Sequence, residues 1–200
     1  MLDDKSPKEE GYFVEASGAS QFCFEWVELI AQSLIFVVFI SAFVFRIFTV
    51  SGNSMRNTLY DHDHVIVWEY GYKPKDGDIV VIRKNGSLDE TIIKRVIATE
   101  GESIHLDYAT GSVYVNGRLL SEPYIKEKML GLTPDVIPTV IPPVIPKDCS
   151  FVMGDNRNNS TDSRDSVVGI IKNENIIGTA KVIYWPPYRI RKLESIRAYG

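Results

Sequence analysis

Histidine and cysteine are scarce in this chain of 200 residues, which has three of the first and two of the second. No histidine sits in a motif that would pair it with a serine or cysteine nucleophile. Asp61-His62-Asp63-His64 is the one dense cluster of metal-ligating residue types. Alternate residues of an extended chain put only two of them on one face, so the cluster reads as a turn before a strand at Val65, and no metal is assigned. Cys23 and Cys149 fall on opposite sides of a hydrophobic segment, imply no disulfide framework and say nothing of the compartment. No basic block is present and the net charge is −4, so nucleic-acid binding has no electrostatic footprint. Internal repeats and long amphipathic helices are also missing.

A long apolar run is present. Leu29 to Phe45 gives 17 residues without a charge between Glu28 and Arg46. As a helix this covers about 26 Å against a hydrocarbon core of about 30 Å. Full span is expected if Arg46 snorkels and Ile47, Phe48 and Val50 continue the element. Phe36-Val37-Val38-Phe39-Ile40 and its neighbours are apolar on all faces, which argues against a buried core helix. The run is too long for a cleavable signal peptide, follows 28 residues and has no positive region against it. Lysine and arginine flank it on both sides, so the charge rule gives no orientation.

Before this segment, residues 1–24 read as a loose polar tail. After it the chain reads as mainly β. Val65-Ile66-Val67-Trp68, Ile79-Val80-Val81-Ile82, Ile92 to Ile97, Ser112 to Val115 and Cys149 to Met153 are short β-branched or aromatic runs bounded by Gly, Asp, Asn or Pro. Asn116-Gly117 is a strong hairpin signal. Glu174 to Gly178 has room for one helical turn. Five prolines between 133 and 147 indicate an extended or edge segment packed along the sheet. Trp68, Tyr70 and Tyr72 share a face if extended, either in the core or at a lipid interface. The expected fold is a compact antiparallel β-sheet or barrel-like domain over 50–200, behind one transmembrane helix within an anchor at 25–49.

Three segments carry chemistry. Ser51-Gly52-Asn53-Ser54-Met55 places a serine after a glycine-containing bend. Ile92-Ile93-Lys94-Arg95-Val96 places a lysine in an apolar strand. Gly154-Asp155-Asn156-Arg157-Asn158-Asn159-Ser160-Thr161-Asp162-Ser163-Arg164 is a dense polar loop whose Asp and Arg spacing a surface turn does not explain. Serine and lysine suffice as a nucleophile and base, provided the lysine is neutral. That requires lowering it about 2 units from its reference near 10.4. The apolar neighbours Ile92, Ile93, Val96 and Ile97 favour this by desolvation. Ser54 is thus the candidate nucleophile and Lys94 the candidate base.

In this order the segments resemble the type I signal peptidases, membrane-bound serine proteases that remove signal peptides from exported proteins. Ser54-Met55-Arg56-Asn57-Thr58-Leu59 matches the serine box, with Asn57 where the family has proline. Gly77-Asp78-Ile79-Val80-Val81 and Lys94-Arg95-Val96-Ile97 match two further boxes, and Gly154–Arg164 matches at every usual position. The short gap from Val96 to Met153 resembles the minimal form of Gram-positive bacteria. The resemblance implies a cytoplasmic N-terminus and a single-pass anchor in the cytoplasmic membrane, with the catalytic domain outside. It implies an oxyanion donor in the Ser54 main-chain N–H. Gly52 stands where some members have a second, serine donor. By the same resemblance Ser160 hydrogen-bonds the lysine amine and Asp162 with Arg164 forms a supporting ion pair, while Asp155, Arg157 and Ser163 hold the loop.

The expected substrates are exported preproteins ending in Ala-x-Ala. Val50, Met55, Leu59 and Ile93 are expected to wall pockets that admit a methyl group. Membrane lipid is the other expected partner, without nucleic acid and without any cofactor. Asn can adopt turn geometry, so Asn57 is expected to cost rigidity more than activity. Two rivals are self-cleaving repressor proteases, which lack the anchor and the polar loop, and a non-catalytic assembly factor for surface proteins or pili, against which both Ser54 and Lys94 argue.

Overall fold

The computed structural model describes residues 18–84, 87–130 and 138–196. Residues 1–17 of the tail expected over 1–24 lie outside the described residues, as does the proline-rich stretch up to residue 137.

Helix α1 covers Gly18–Val44. Its 27 residues rise about 40 Å, more than a bilayer core requires. No glycine or proline interrupts it after Gly18, which is why residues 18–24, expected in the tail, are helical instead. Its segment Ser20–Ser41 has a mean hydropathy of 1.9, and none of its most apolar stretch is buried. By length and composition this helix is able to cross a membrane. Ser33 and Ser41 donate to the carbonyls of Leu29 and Val37 at 2.7 Å, satisfying both hydroxyls within the helix.

The helix stops at Val44, and the expectation that Ile47, Phe48 and Val50 extend it is corrected. Phe45–Thr49 forms strand β1, pairing with β2 (His64–Trp68) from Phe45↔Trp68 to Thr49↔His64. Aromatic and β-branched residues favour the sheet here. Arg46 is held by Glu69 at 2.7 Å, and Phe45 meets Trp68 edge-on at 5.1 Å. The aromatic residues near this end do not share one setting. Trp68 and Tyr70 are exposed, whereas Tyr72 is half-buried and donates to Asp78 at 2.8 Å.

The remaining strands are β3 (Ile79–Lys84), β4 (Ser87–Thr99), β5 (Ile104–Asp107), β6 (Ser112–Val115), β7 (Arg118–Leu119), β8 (Cys149–Met153), β9 (Ile171–Lys172), β10 (Ile176–Trp185) and β11 (Arg191–Lys192). The main sheet runs β1-β2-β10-β3-β4-β8-β9, with β11 on β10, and all its pairings are antiparallel. A second sheet, β5-β6-β7, occupies the gap between β4 and β8. Its last hairpin turns on Asn116 and Gly117 at φ +52° and +73°, as the sequence predicts. The helical turn expected at 174–178 is a 3-10 turn at Asn173–Asn175 that leads into β10.

Strand β4 positions the site. It pairs with β3 along most of its length, but with β8 only from Arg95 onward. Among the described residues its edge at Thr91–Lys94 therefore lacks a second strand. Behind it, Val65, Val67, Ile79, Val81, Ile177 and Ile183 build a core into which the serine-bearing turn inserts Met55 and Leu59. Phe151, Met153 and Ile97 join the small sheet in another core. The described part of the proline segment runs alongside as an edge, with Pro138 bridging Asp165 and Ile145 buried.

Candidate active site

The serine turn is anchored at both ends. Val50 and Asp63 bond main chain to main chain at 2.8 Å, and Met55 and Leu59 are 1% and 0% exposed. Between them the chain bends tightly. Gly52 takes φ +82° and gives its N–H to Asp61 at 2.9 Å. Asn57 takes φ +100°. Proline is locked near −65° and cannot adopt that angle, so the asparagine is matched to the backbone actually present. Its side-chain amide reaches the Ile125 carbonyl at 3.4 Å.

Strand β4 brings Lys94 to this turn. Its Nζ donates to Ser54 Oγ at 2.9 Å and to the Ile93 carbonyl at 3.0 Å. The lysine is 3% exposed. Burial pulls its pKa down to about 8, with Arg164 adding to the fall while Asp162 and Asp155 oppose it. The pair can thus transfer a proton near neutral pH.

The polar loop closes the far side. Asp162 receives two bonds from the Arg164 guanidinium, both 2.8 Å, and one from the Gly154 N–H at 2.9 Å. Burial alone would raise its carboxyl, but Arg164 and Gly154 hold it below the ordinary value. Ser163 exchanges two 3.0 Å bonds with the main chain of Val152. A Cβ at Gly154 would lie 2.3 Å from Ser160 Oγ and 2.5 Å from the Ser54 carbonyl oxygen. Only a glycine lets loop and turn approach this closely.

Two expectations are corrected. Ser160 lines the groove, but its hydroxyl acts on Asp162, helping to lower that carboxyl, and among the described residues the bonds of the Lys94 amine go to Ser54 and Ile93 instead. Leu59 is not part of the lining of this groove, because it is buried in the core. Val50, Met55 and Ile93 do line that groove, which is about 650 Å³ and also holds Ser54 and Lys94.

Several contacts have no counterpart in the sequence reading. Asp155 does not pair within its loop. It takes Arg95 Nε at 2.9 Å and Nη2 at 2.7 Å, with side-chain exposures of 0% and 1%. Thr58 also donates to it, and Tyr124 stacks on the Arg95 guanidinium at 4.0 Å. Arg157 pairs with Glu122 through both of its terminal nitrogens. Asn156 reaches back to the carbonyls of Asn53 and Ser54. Arg95 was marked only by its place beside Lys94, and Glu122 and Tyr124 sit in a segment without periodicity. In the Asp-His cluster, Asp63 is claimed by Arg189 at 2.8 and 2.9 Å, and no metal-ligating group of three occurs among the described residues.

Comparison with known proteins finds a family and several relatives. The family described as "Signal peptidase, peptidase S26" matches residues 23–185. Signal peptidase I P of Bacillus subtilis subsp. natto is 35% identical over 84% of this chain and 91% of its own length. Signal peptidase I T of Bacillus subtilis strain 168 is also 35% identical, over 84% and 88%. A signal peptidase I of Leptolyngbya laminosa is 36% identical over 88% and 86%. A solved signal peptidase I from Enterococcus faecalis V583 is 26% identical, covering 54% of this chain and 97% of that one, with a TM-score of 0.42. The chain belongs to the signal peptidases of peptidase family S26.

Proposed function

We propose that the protein is a membrane-anchored signal peptidase I in which Ser54 attacks the scissile carbonyl and Lys94 is the general base. One observation carries the assignment: the Lys94 amine lies 2.9 Å from the Ser54 hydroxyl while burial holds its pKa near 8. In the proposed path, Lys94 takes the Ser54 proton as Oγ bonds to the carbonyl carbon. The Ser54 main-chain N–H meets the oxyanion. The Lys94 ammonium then protonates the departing amine. Water, activated by the neutral lysine, releases the signal peptide from Ser54.

The substrates are preproteins bearing signal peptides. We assign them small residues, of the Ala-x-Ala kind, at the first and third positions before the cut. The apolar side chains of Val50, Met55 and Ile93 along the groove support that choice. Asp162 and Arg164 would act through the electrostatics of Lys94, and Asp155, Arg157 and Ser163 through the shape of the loop. We place α1 across the cytoplasmic membrane in a single pass, with the lipid as partner and the domain after it on the outer side. The chemistry draws on no cofactor, and the acidic chain offers nucleic acid nothing. The assembly-factor alternative has no supporting contact, whereas a buried lysine bonded to a serine is a costly arrangement without a reaction to serve.

The test is cleavage of a preprotein ending in Ala-x-Ala by the detergent-purified protein. Cutting after the second alanine, lost in Ser54→Ala and in Lys94→Ala, is the expected result. Equal cutting by either variant, with the parent folded and active, would overturn the assignment.

A further inference from the structure

The reaction proposed above needs the Ser54 N–H aimed at the place where negative charge develops. That N–H belongs to the peptide unit joining Asn53 to Ser54. A trans peptide is planar, with its C=O and N–H on opposite edges, so fixing the oxygen fixes the direction of the hydrogen. The unit is trans, and its oxygen is held from behind. Asn156 Nδ2 donates to the Asn53 carbonyl at 3.0 Å, as does the Arg56 N–H within the turn. The following unit is held by the same residue, whose main-chain N–H donates to the Ser54 carbonyl at 3.0 Å. One residue of the polar loop thus fastens both peptide units that flank the nucleophile.

Two further observations support a role beyond stability. The Gly52 N–H is occupied by Asp61, while among the described residues the Ser54 N–H donates to nothing and stays available. Asn156 is 3% exposed, and among the described residues its buried side-chain oxygen has no hydrogen-bond partner. Buried polar atoms are nearly always paired, so an orphan oxygen asks for a reason. The amide is oriented for the Nδ2 bond to Asn53 at the expense of its other end.

We propose that Asn156 is a positioning residue that aims the Ser54 N–H at the oxyanion. The inference rests on Ser54 being the nucleophile. Asn156 does not line the groove and makes no hydrogen bond to Lys94. Removing its amide should therefore slow the chemical step while leaving substrate binding and the pH midpoint in place.

The experiment compares the parent with Asn156→Leu, Asn156→Ala and Ser54→Ala in preprotein cleavage, together with thermal unfolding. Asn156→Leu keeps the approximate shape and the main-chain bond and loses the Nδ2 donor without adding a charge, so it carries the test if Asn156→Ala fails to fold. The expected kcat falls roughly 10²-fold, the size seen when an oxyanion donor is lost, with KM and the pH midpoint unchanged. A peptide aldehyde ending in Ala-x-Ala supplies a readout that a merely structural role would not move. Ser54 Oγ bonds to the aldehyde carbon, the C=O π pair moves to oxygen, and the Ser54 proton passes to Lys94; the matching alcohol forms no such bond. The aldehyde-over-alcohol preference should fall with kcat. Parent-like kcat in folded Asn156→Leu, or an unchanged preference, overturns the positioning role and leaves the nucleophile standing. Parent-like cleavage by Ser54→Ala overturns both.

Discussion

Arg95 and Asp155 form a two-point ion pair from which water is almost wholly excluded, one residue along the strand from Lys94 and one residue before Asn156. Thr58 of the serine turn bonds to the same carboxylate. The turn, the base strand and the polar loop are thus tied at one buried point. Removing one partner of such a pair leaves a bare charge in the interior, at about 3–5 kcal/mol. Asp155→Asn and Arg95→Met should each lower the unfolding midpoint severely, and the double variant should recover part of the loss. Purely additive losses in thermal melts would show that the pair is not coupled.

Activity should follow the deprotonation of Lys94. Only the neutral amine accepts the Ser54 proton, so kcat should rise about tenfold per pH unit below the pKa near 8 and level off above it. Asp162 holds that pKa up and Arg164 presses it down. In Asp162→Asn the first effect disappears and the second is opposed by Asp155 alone. The midpoint of the pH–rate curve should move to lower pH, and a shift upward or none would contradict the electrostatic role given to this pair.

The same lysine should cost stability. Its pKa is lower in the folded protein than the ordinary 10.5, so folding penalises the protonated form. The penalty is full below about pH 8, fades as pH rises from 8 to 10.5 and is gone above that. The fall from 10.5 to about 8 corresponds to about 3 kcal/mol at 1.36 kcal/mol per unit. Lys94→Met should therefore be inactive yet more stable at pH 7, with a gain that shrinks towards pH 10.5. Calorimetry across that range would decide it, and a constant gain would place the cause in packing.

Asn57 is expected to reject proline. At φ +100° a proline forces the turn to rearrange beside the nucleophile, at about 3 kcal/mol or more. Asn57→Pro should melt earlier and cleave more slowly, whereas Asn57→Gly, which tolerates the angle, should fold at least as well as the parent. Faster cleavage by the proline variant would mean that the turn is not held as observed.

What was legible in the sequence depended on distance along the chain. Asp162 and Arg164 are two residues apart in one tight loop, and their pairing could be anticipated. Ser54 and Lys94 are 40 apart, yet each sits in a local pattern that marks it. Arg95 and Asp155, 60 apart, and Glu122 and Arg157, 35 apart, join only once the sheet has set its register, which neither composition nor periodicity encodes. The end of α1 was misjudged for a related reason. Ile47, Phe48 and Val50 are as apolar as a membrane helix requires, and only pairing with β2 makes a strand of that region. The polarity of Ser160 was read correctly but not its bond, because which hydroxyl meets the lysine amine is settled by distances of tenths of an ångström.

Leu59 and Ile93 test the line between core and groove. Both are aliphatic neighbours of catalytic segments, and sequence gave them one role. Leu59 is completely buried among β-strand side chains, while Ile93 is partly exposed and faces the groove. Leu59→Ala should cost about 2–5 kcal/mol of stability through the cavity it leaves, with no change in the residue preferred before the cut. Ile93→Ala should cost less stability but open the groove, so that preproteins with valine or leucine at the first or third position are cut relatively faster. Competition between two preproteins in one reaction reads this ratio of kcat/KM directly. If Leu59→Ala alone relaxed the preference, the wall of the pocket would have to be drawn through the core rather than along the groove.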